Sequence, residues 1–309
     1  MTMLPPGLLP EGLRDRLPGE AAAQARTVRA LLDSVEARGY DRVSPPLVEY
    51  EESLAARLKS SRTDLARFVD PLSQRTLAIR PDITPQIARI VSTQLANVPR
   101  PLRLAYAGPV LKLGATQLNP QRETMQVGAE LIGSDSVESA CEIVGIAVAA
   151  LAAAGITGLT VDLTLPDLVQ TIAGLVLTPA QITELDLLLD MKDAGRLTGA
   201  GYAHWLPLIA ATGPVAPALA ALRKFDHAGL MTSRIDGIEA IVRSLDGVRV
   251  TLDPTERHGF EYQSWFGFSL FVAGASGVVG RGGSYAIIHP DGHDEPATGF
   301  SVFPDALSA

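Results

Sequence analysis

Apolar positions recur at helical spacing first over residues 21–38, where Val28, Leu31, Leu32 and Val35 fall three and four apart and Gly39 stands beyond them as a stop. This pattern predicts an amphipathic helix. It leads into the short apolar segment Tyr40-Asp-Arg-Val-Ser-Pro-Pro-Leu-Val, whose Pro45 and Pro46 donate no ladder bonds and therefore favour a sheet edge or an interface. Leu77–Ile79 reads as a strand, Pro81–Gln94 as a helix, Leu102–Leu113 as a strand containing Gly108-Pro109, and Met125–Ile132 as another strand. A helix follows, started by Asp135 with Glu138 and stopped by Gly155 after Ala154, and Leu159–Leu165 reads as a strand.

Beyond it, residues 167–247 are rich in Ala and Leu and interrupted by Pro179, Pro207, Pro214 and Pro217, which predicts a mostly helical lobe. Strand-like sequence returns at Val248–Leu252, Gly267–Val272 and Gly283–Ile288. Strands joined by short connections rather than regular helical crossovers favour an α+β fold, an antiparallel sheet flanked by helices. The lobe then reads as an insertion into one core spanning 1–309. No internal repeat or low-complexity tract stands out.

Composition narrows the function classes. The chain has 309 residues, 47% of them apolar, enough to bury a large core. Twenty-six basic against 34 acidic residues give a net charge of -8, and no basic run stands out to attract nucleic acid. A single cysteine, Cys141, excludes a disulfide framework and a cysteine zinc cluster, and suits a reducing cytoplasm. Met1–Pro10 lacks the layout of a secretion signal, so the mature chain is expected to start there. Ile143–Val161 is uncharged over nearly a membrane-spanning length, but its Ala and Gly content and its helix stop favour a buried helix.

Three segments carry polar groups in apolar surroundings. In Arg80-Pro-Asp-Ile-Thr-Pro-Gln, Pro81 could open a helix with Asp82 and Thr84 in its first turn, as caps or as ligand groups. In Glu123-Thr-Met-Gln-Val-Gly-Ala-Glu, the residues Gln126, Gly128 and Glu130 share one strand face, which is either a solvated face or a ligand wall with acceptors for an ammonium or an imidazole N–H. The glycines of Val278-Val-Gly-Arg-Gly-Gly-Ser-Tyr read as a hairpin, leaving Tyr285 as the residue of interest. His289 and His293 flank Pro-Asp-Gly, a turn signal before it is a metal site. The sequence has no phosphate loop, no GxGxxG entering a helix, no Gly-x-Ser-x-Gly elbow and no Cys–His pair.

In this order the segments resemble the class II aminoacyl-tRNA synthetase core, and within it the histidyl branch. Tyr40–Tyr50 is similar to the first motif, implying a self-dimer through that region; Leu77–Ile90 resembles the segment that grips the substrate ammonium; Arg103–Gly133 resembles the second motif; and Gly282–Leu307 covers the tyrosine loop and third motif. The resemblance implies a histidine pocket in which Asp82, Thr84 and Gln126 receive the ammonium, Glu130 accepts the imidazole N–H, and Tyr285 and Tyr262 line the side chain. It also implies a degenerate ATP end. Lys112 and Gly114 stand where the family pairs Arg with Glu, His258 beside Arg257 stands at the loop arginine, Gln263 at a second tyrosine, and Ala306 at the phosphate-holding arginine. Lysine lacks the planar fork of arginine, and losing one preorganised charge costs about 10²- to 10³-fold in rate.

No anticodon-binding domain is expected after Leu307. This combination is similar to the regulatory subunits of ATP phosphoribosyltransferase. The resemblance implies a non-catalytic subunit without cofactor or metal that takes histidine as allosteric ligand in feedback inhibition of histidine biosynthesis. It also implies a short-form catalytic subunit as partner in a hetero-octamer of four plus four chains, with neither tRNA nor membrane bound. The alternative is a divergent histidine-activating enzyme in which Lys112, His258 or Arg257 replaces the missing groups.

Overall fold

The structure, a computed structural model, describes residues 7–55, 65–114, 121–257, 259 and 262–307. Helix α1 (Pro18–Glu36) begins earlier than the periodicity predicts because Pro18 occupies its first turn, where a missing N–H costs nothing. It buries Leu31, Leu32 and Val35, worth about 2 kcal/mol each, and Gly39 leaves it with a φ of 84°. Strand β1 (Asp41–Arg42) is followed by β2 (Val48–Tyr50), α2 (Glu51–Ala55), β3 (Arg67–Val69), β4 (Thr76–Ile79) and α3 (Thr84–Thr93). The long strands β5 (Leu102–Leu111) and β6 (Glu123–Ile132) come next, then α4 (Val137–Ala153) and β7 (Leu159–Thr164).

Between β7 and β9 (Arg249–Leu252) lie helices α5 (Leu168–Ala173), α6 (Pro179–Asp190), α7 (Ala194–Gly199), α8 (Leu206–Ala210), α9 (Val215–Phe225) and α10 (Thr232–Arg243), with a two-residue strand β8 (Gly213–Pro214). Strands β10 (Gln263–Val272), β11 (Val278–Ile288) and β12 (Asp294–Val302) complete the sheet. A short 3-10 helix, Pro304–Leu307, follows β12.

The main sheet has nine strands in the order β1-β5-β6-β12-β11-β10-β7-β9-β8, and a second sheet runs β2-β4-β3. The α+β prediction holds, with one refinement. The large sheet is antiparallel except where β1 joins β5 and β9 joins β7, both parallel. The β7–β9 crossover is right for a parallel pair because six helices separate the two strands, whereas a parallel connection needs only a dozen residues.

One sheet face carries Ala105, Val127, Ala129, Leu131, Phe300 and Val302 into the main core with α1 and α4. Residues of the helical stretch, among them Leu185, Leu189, Trp205, Leu222 and Ile238, belong to this same core. The opposite face, with Leu104, Tyr106, Ile132, Tyr285 and Ala297, is covered by Ile83, just before α3, and by Ile87 and Val91 of α3. The functional candidates lie on this second face.

Three local expectations change. The helix after Arg80 starts at Thr84 with Pro85 in its first turn, so Pro81 precedes it rather than opening it. Helix α4 is capped by Ser136, whose side chain accepts from Ser139 N, and not by Asp135. The glycines 280, 282 and 283 sit inside β11 rather than in a hairpin turn. They are required there by crowding: a Cβ on Gly282 would lie 2.5 Å from the Phe268 ring, and one on Gly280 would lie 2.7 Å from the Ser301 carbonyl.

Ile143–Val161 divides into the end of α4 and the start of β7. Among the described residues no helix is long and apolar enough to cross a membrane.

Candidate amino-acid pocket

Side chains alternate along a strand, so Gln126, Gly128 and Glu130 face one way and the register decides what they meet. Gly128 lies directly between Tyr106 on β5 and Ser301 on β12, while Glu130 lies opposite Gly299. The absence of a side chain at 128 lets the Tyr106 ring cross the strand, since a Cβ there would sit 2.4 Å from the Tyr106 hydroxyl oxygen. Likewise, the place a Cβ would take on Gly299 is occupied by the Glu130 carboxylate, 1.6 Å from Oε2. These glycines form the pocket floor.

Glu130 is buried at 1% exposure and accepts three hydroxyl hydrogen bonds. Thr84 donates to Oε1 at 3.1 Å, Tyr106 to Oε1 at 3.0 Å, and Tyr285 to Oε2 at 2.9 Å. Burial pushes its carboxyl up to about 8, against the opposing effect of those three hydroxyls, and nearby Asp82 adds to the rise. Burial likewise raises the Tyr106 and Tyr285 hydroxyls, with Glu130 the next contributor.

Gln126, also 1% exposed, donates from Nε2 to Asp82 Oδ1 at 2.7 Å and to Ser301 Oγ at 2.8 Å, and its Oε1 receives Ile83 N at 2.9 Å. Asp82 Oδ1 also accepts Thr84 N at 3.0 Å, so it orders the turn leading into α3 and borders the pocket at once. The solvated-face alternative for Gln126 and Glu130 is overturned, because α3 covers this part of the sheet. Tyr262 is 39% exposed at the mouth and meets Tyr285 edge-on, 5.9 Å between ring centres. The enclosed space, lined also by Gln263, Arg281, Gly283 and Phe300, is about 20 Å³, room for roughly one water molecule.

Arg80 supports the site from behind. Its buried guanidinium donates to the carbonyls of Pro45 and Pro109, both at 2.9 Å, and to Gln86 Oε1 at 3.3 Å. This joins the Pro45-Pro46 turn to α3 and β5.

The structure thus brings Asp82, Thr84, Gln126, Glu130 and Tyr285 together, with Tyr262 at the edge. Tyr106 and Ser301, absent from the sequence reading, complete the cluster. Strand register selects both, since each sits directly across the sheet from the glycine between Gln126 and Glu130, and the sequence carries no local signal of that pairing.

The positions matched to a phosphate end are arranged differently. The Lys112 ammonium lies over the Phe303 ring, 5.1 Å from its centre. Gly114 is exposed, and a Cβ added there meets none of the described residues within 4 Å. Ala306 packs against the main core. Its neighbour Asp305 accepts from Arg16 Nη2 at 2.8 Å, Gln24 Nε2 at 2.7 Å and Met125 N at 2.6 Å, which ties the N-terminal segment to β6. His258 lies outside the described residues. Arg257 turns towards the helical stretch, its Nη1 3.2 Å from Asp186 and donating to the Pro166 carbonyl, its backbone N–H donating to Asp190 at 2.6 Å.

His289 pairs through Nε2 with Glu295 at 2.8 Å, and His293 through Nδ1 with Asp291 at 2.6 Å. Among the described residues no group of three or more His, Cys, Asp or Glu is arranged to hold a metal ion.

With this geometry in hand, comparison with known proteins decides the family. The family model for histidyl-tRNA synthetase matches residues 12–307. A protein of Rhodospirillum centenum (strain ATCC 51521 / SW), the ATP phosphoribosyltransferase regulatory subunit, is 41% identical over 311 residues, covering 97% of this chain and 79% of that protein. The chain belongs to the family of ATP phosphoribosyltransferase regulatory subunits.

Solved structures agree on the fold of this regulatory-subunit family. An ATP phosphoribosyltransferase regulatory subunit/histidyl-tRNA synthetase from Bacillus halodurans C superposes with a TM-score of 0.85 at 24% identity, covering 99% of this chain and 83% of that one. A chain of the ATP phosphoribosyl transferase (HisG:HisZ) complex from Thermotoga maritima gives 0.69 at 15% identity, covering 91% and 97%. The fold of the family is therefore the class II synthetase-like α+β core predicted from the motif order.

Proposed function

We propose that this chain is a non-catalytic regulatory subunit that binds free histidine in the pocket around Glu130 and transmits its presence to a short-form ATP phosphoribosyltransferase catalytic subunit. The observation that carries the reading is the asymmetry of the two ends of the site. Acceptors for an ammonium and an imidazole are buried or half-buried, ordered by hydrogen bonds and mutually consistent, while the positions matched to phosphate-holding groups are a lysine seated on Phe303, a glycine and a half-buried alanine packed against the core.

Asp82, Thr84 and Gln126 receive the α-ammonium, where the Asp82 carboxylate supplies the stronger, charge-assisted kind of bond, and Glu130 with Tyr285 receives the ring. Because the enclosed space holds about one water, entry of the amino acid requires Tyr262 and Tyr285 to part. That local rearrangement is where binding energy can be coupled to a quaternary preference, and the differential affinity of histidine for the two states sets the size of the effect.

The activating-enzyme alternative needs Lys112, His258 or Arg257 to serve the triphosphate. Arg257 is engaged by Asp186 and Pro166, and Lys112 by Phe303, which supports the regulatory reading. The family assignment and the fold shared with a chain of a HisG:HisZ complex support a catalytic-subunit partner in a hetero-octamer. The self-dimer is assigned to the first-motif region, where Leu47 and Tyr50 are exposed and Phe68 on β3 is exposed on the other side of β4. The net charge of -8 agrees with a cytoplasmic complex that does not bind tRNA.

The test pairs two assays. Calorimetry on the complex with the short catalytic subunit is expected to show histidine binding, and histidine-dependent ATP–pyrophosphate exchange is expected to be nil. Exchange activity would establish the activating enzyme instead; absent histidine binding would remove the sensing role.

A further inference from the structure

We propose that Arg281 binds the α-carboxylate of the ligand, so that the pocket selects amino acids with a free carboxylate over amino alcohols, amines and esters. The inference rests on the amino-acid reading of the pocket and assigns its remaining end.

An amino acid entering as a zwitterion brings one negative group with its ammonium, and the pocket around Glu130 is otherwise a poor place for it. Asp82 and Glu130 are both acidic, and the tyrosine hydroxyls are already committed to Glu130. Among the described residues that line the pocket, Arg281 is the one cation.

Its placement follows from register. Arg281, Gly283 and Tyr285 alternate on one face of β11, and Arg281 lies directly across from Ser301, which in turn lies across from Gly128. The Ser301 hydroxyl binds Gln126 and Tyr106, so Ser301 separates the ammonium acceptors from the guanidinium by one strand on either side. Neighbouring strands are about 4.8 Å apart. That spacing suits an amino acid whose ammonium lies towards Gln126 and Asp82, whose ring lies towards Glu130 and Tyr285, and whose carboxylate lies towards Arg281.

The guanidinium is backed by the outer loop. Glu256 interacts with it electrostatically, and a Cβ on Gly259 would fall 1.8 Å from its Nη1, so Gly259 leaves the room the side chain occupies. A planar fork seated beside a glycine, with a carboxylate in electrostatic range, suits a second carboxylate in the bidentate geometry that arginine favours.

The experiment compares L-histidine with L-histidinol, which carries a CH2OH in place of the carboxylate, by calorimetry on the full-length chain. The wild type is expected to prefer histidine on the order of 100-fold, the scale of losing one side of a buried charged pair. In Arg281→Gln the preference is expected to fall to within about threefold of unity while the histidinol affinity stays within about threefold of wild type. Retained histidinol binding shows that the pocket is still folded. Arg281→Met, which keeps the aliphatic stem, carries the same expectation should the glutamine variant melt. No preference in the wild type, or an undiminished preference in either folded variant, overturns the assignment. Failure of the wild type to bind both ligands would instead overturn the amino-acid reading of the pocket.

Discussion

Replacing Glu130 by Gln isolates the energetic cost of keeping a carboxyl in this pocket. Burial moves the group from its ordinary 4.5 to about 8, which corresponds to on the order of 5 kcal/mol between its fully protonated and fully ionised limits. The sign follows from proton counting. Between these two values the folded protein holds a proton that the unfolded chain has released, so stability is complete below pH 4.5 and declines as pH rises through 8. Over the practical range from pH 5.5 to 8.5 the decline is about 3 kcal/mol.

Glutamine is nearly isosteric, and its carbonyl still accepts from the hydroxyls of Thr84 and Tyr106. Its amide can donate to the Tyr285 oxygen, which replaces the contact that the Tyr285 hydroxyl makes by donating to Glu130. Glu130→Gln is therefore expected to lie within about 1 kcal/mol of wild type at pH 5.5 and to be the more stable protein at pH 8.5. Denaturant unfolding at four pH values, read as the difference between the two proteins, supplies the number. The subtraction matters because Asp186, lifted by burial to about 6, titrates in the same direction in both. Parallel curves across this range would refute the argument.

Other consequences can be checked alongside. Gly128→Ala sets a methyl 2.4 Å from the Tyr106 oxygen and 2.5 Å from the Phe300 carbonyl, and is expected to cost about 2–3 kcal/mol in unfolding experiments with loss of histidine binding in calorimetry. Asp305→Ala removes the acceptor shared by Arg16, Gln24 and Met125 N; a loss of about 3 kcal/mol in denaturant stability is expected. Ser136→Ala deletes the α4 cap and should lower stability by about 1 kcal/mol by the same method, leaving ligand affinity unchanged.

Periodicity located the secondary structure well where one physical cause dominated. Leu31, Leu32 and Val35 identify α1 because a single apolar stripe has to be buried, and Gly39 ends it because the backbone there takes a positive φ. It performed less well where the cause was non-local. Gly280, Gly282 and Gly283 carry the local signature of a turn, yet they sit mid-strand because the Phe268 ring and the Ser301 carbonyl need their space, and both belong to other strands. Strand β12 has no local strand signature for a related reason: Asp294, Glu295 and Pro296 disguise its beginning, and its partners are β6, about 170 positions earlier, and β11. In the pocket, Gln126 and Glu130 were legible as a shared strand face, but burial decides what such a face does, and α3 supplies that burial from a separate segment.

The same distinction explains why the two ends of the site carry different weight in a functional argument. At the amino-acid end each group is explained by another: Gly128 admits Tyr106, Gly299 admits Glu130, Thr84 and Tyr285 hold the carboxylate, and Asp82 holds Gln126. Such mutual dependence is costly, since a buried carboxyl destabilises the fold above its titration. A protein that needed only a packed core could replace it with apolar side chains. At the other end, a Cβ on Gly114 would meet none of the described residues within 4 Å, so none of them stands in the way of a glutamate there. The pocket thus carries a buried carboxyl at a cost in stability, while the phosphate side carries a glycine that no described residue crowds, an asymmetry that supports the recognition role proposed above.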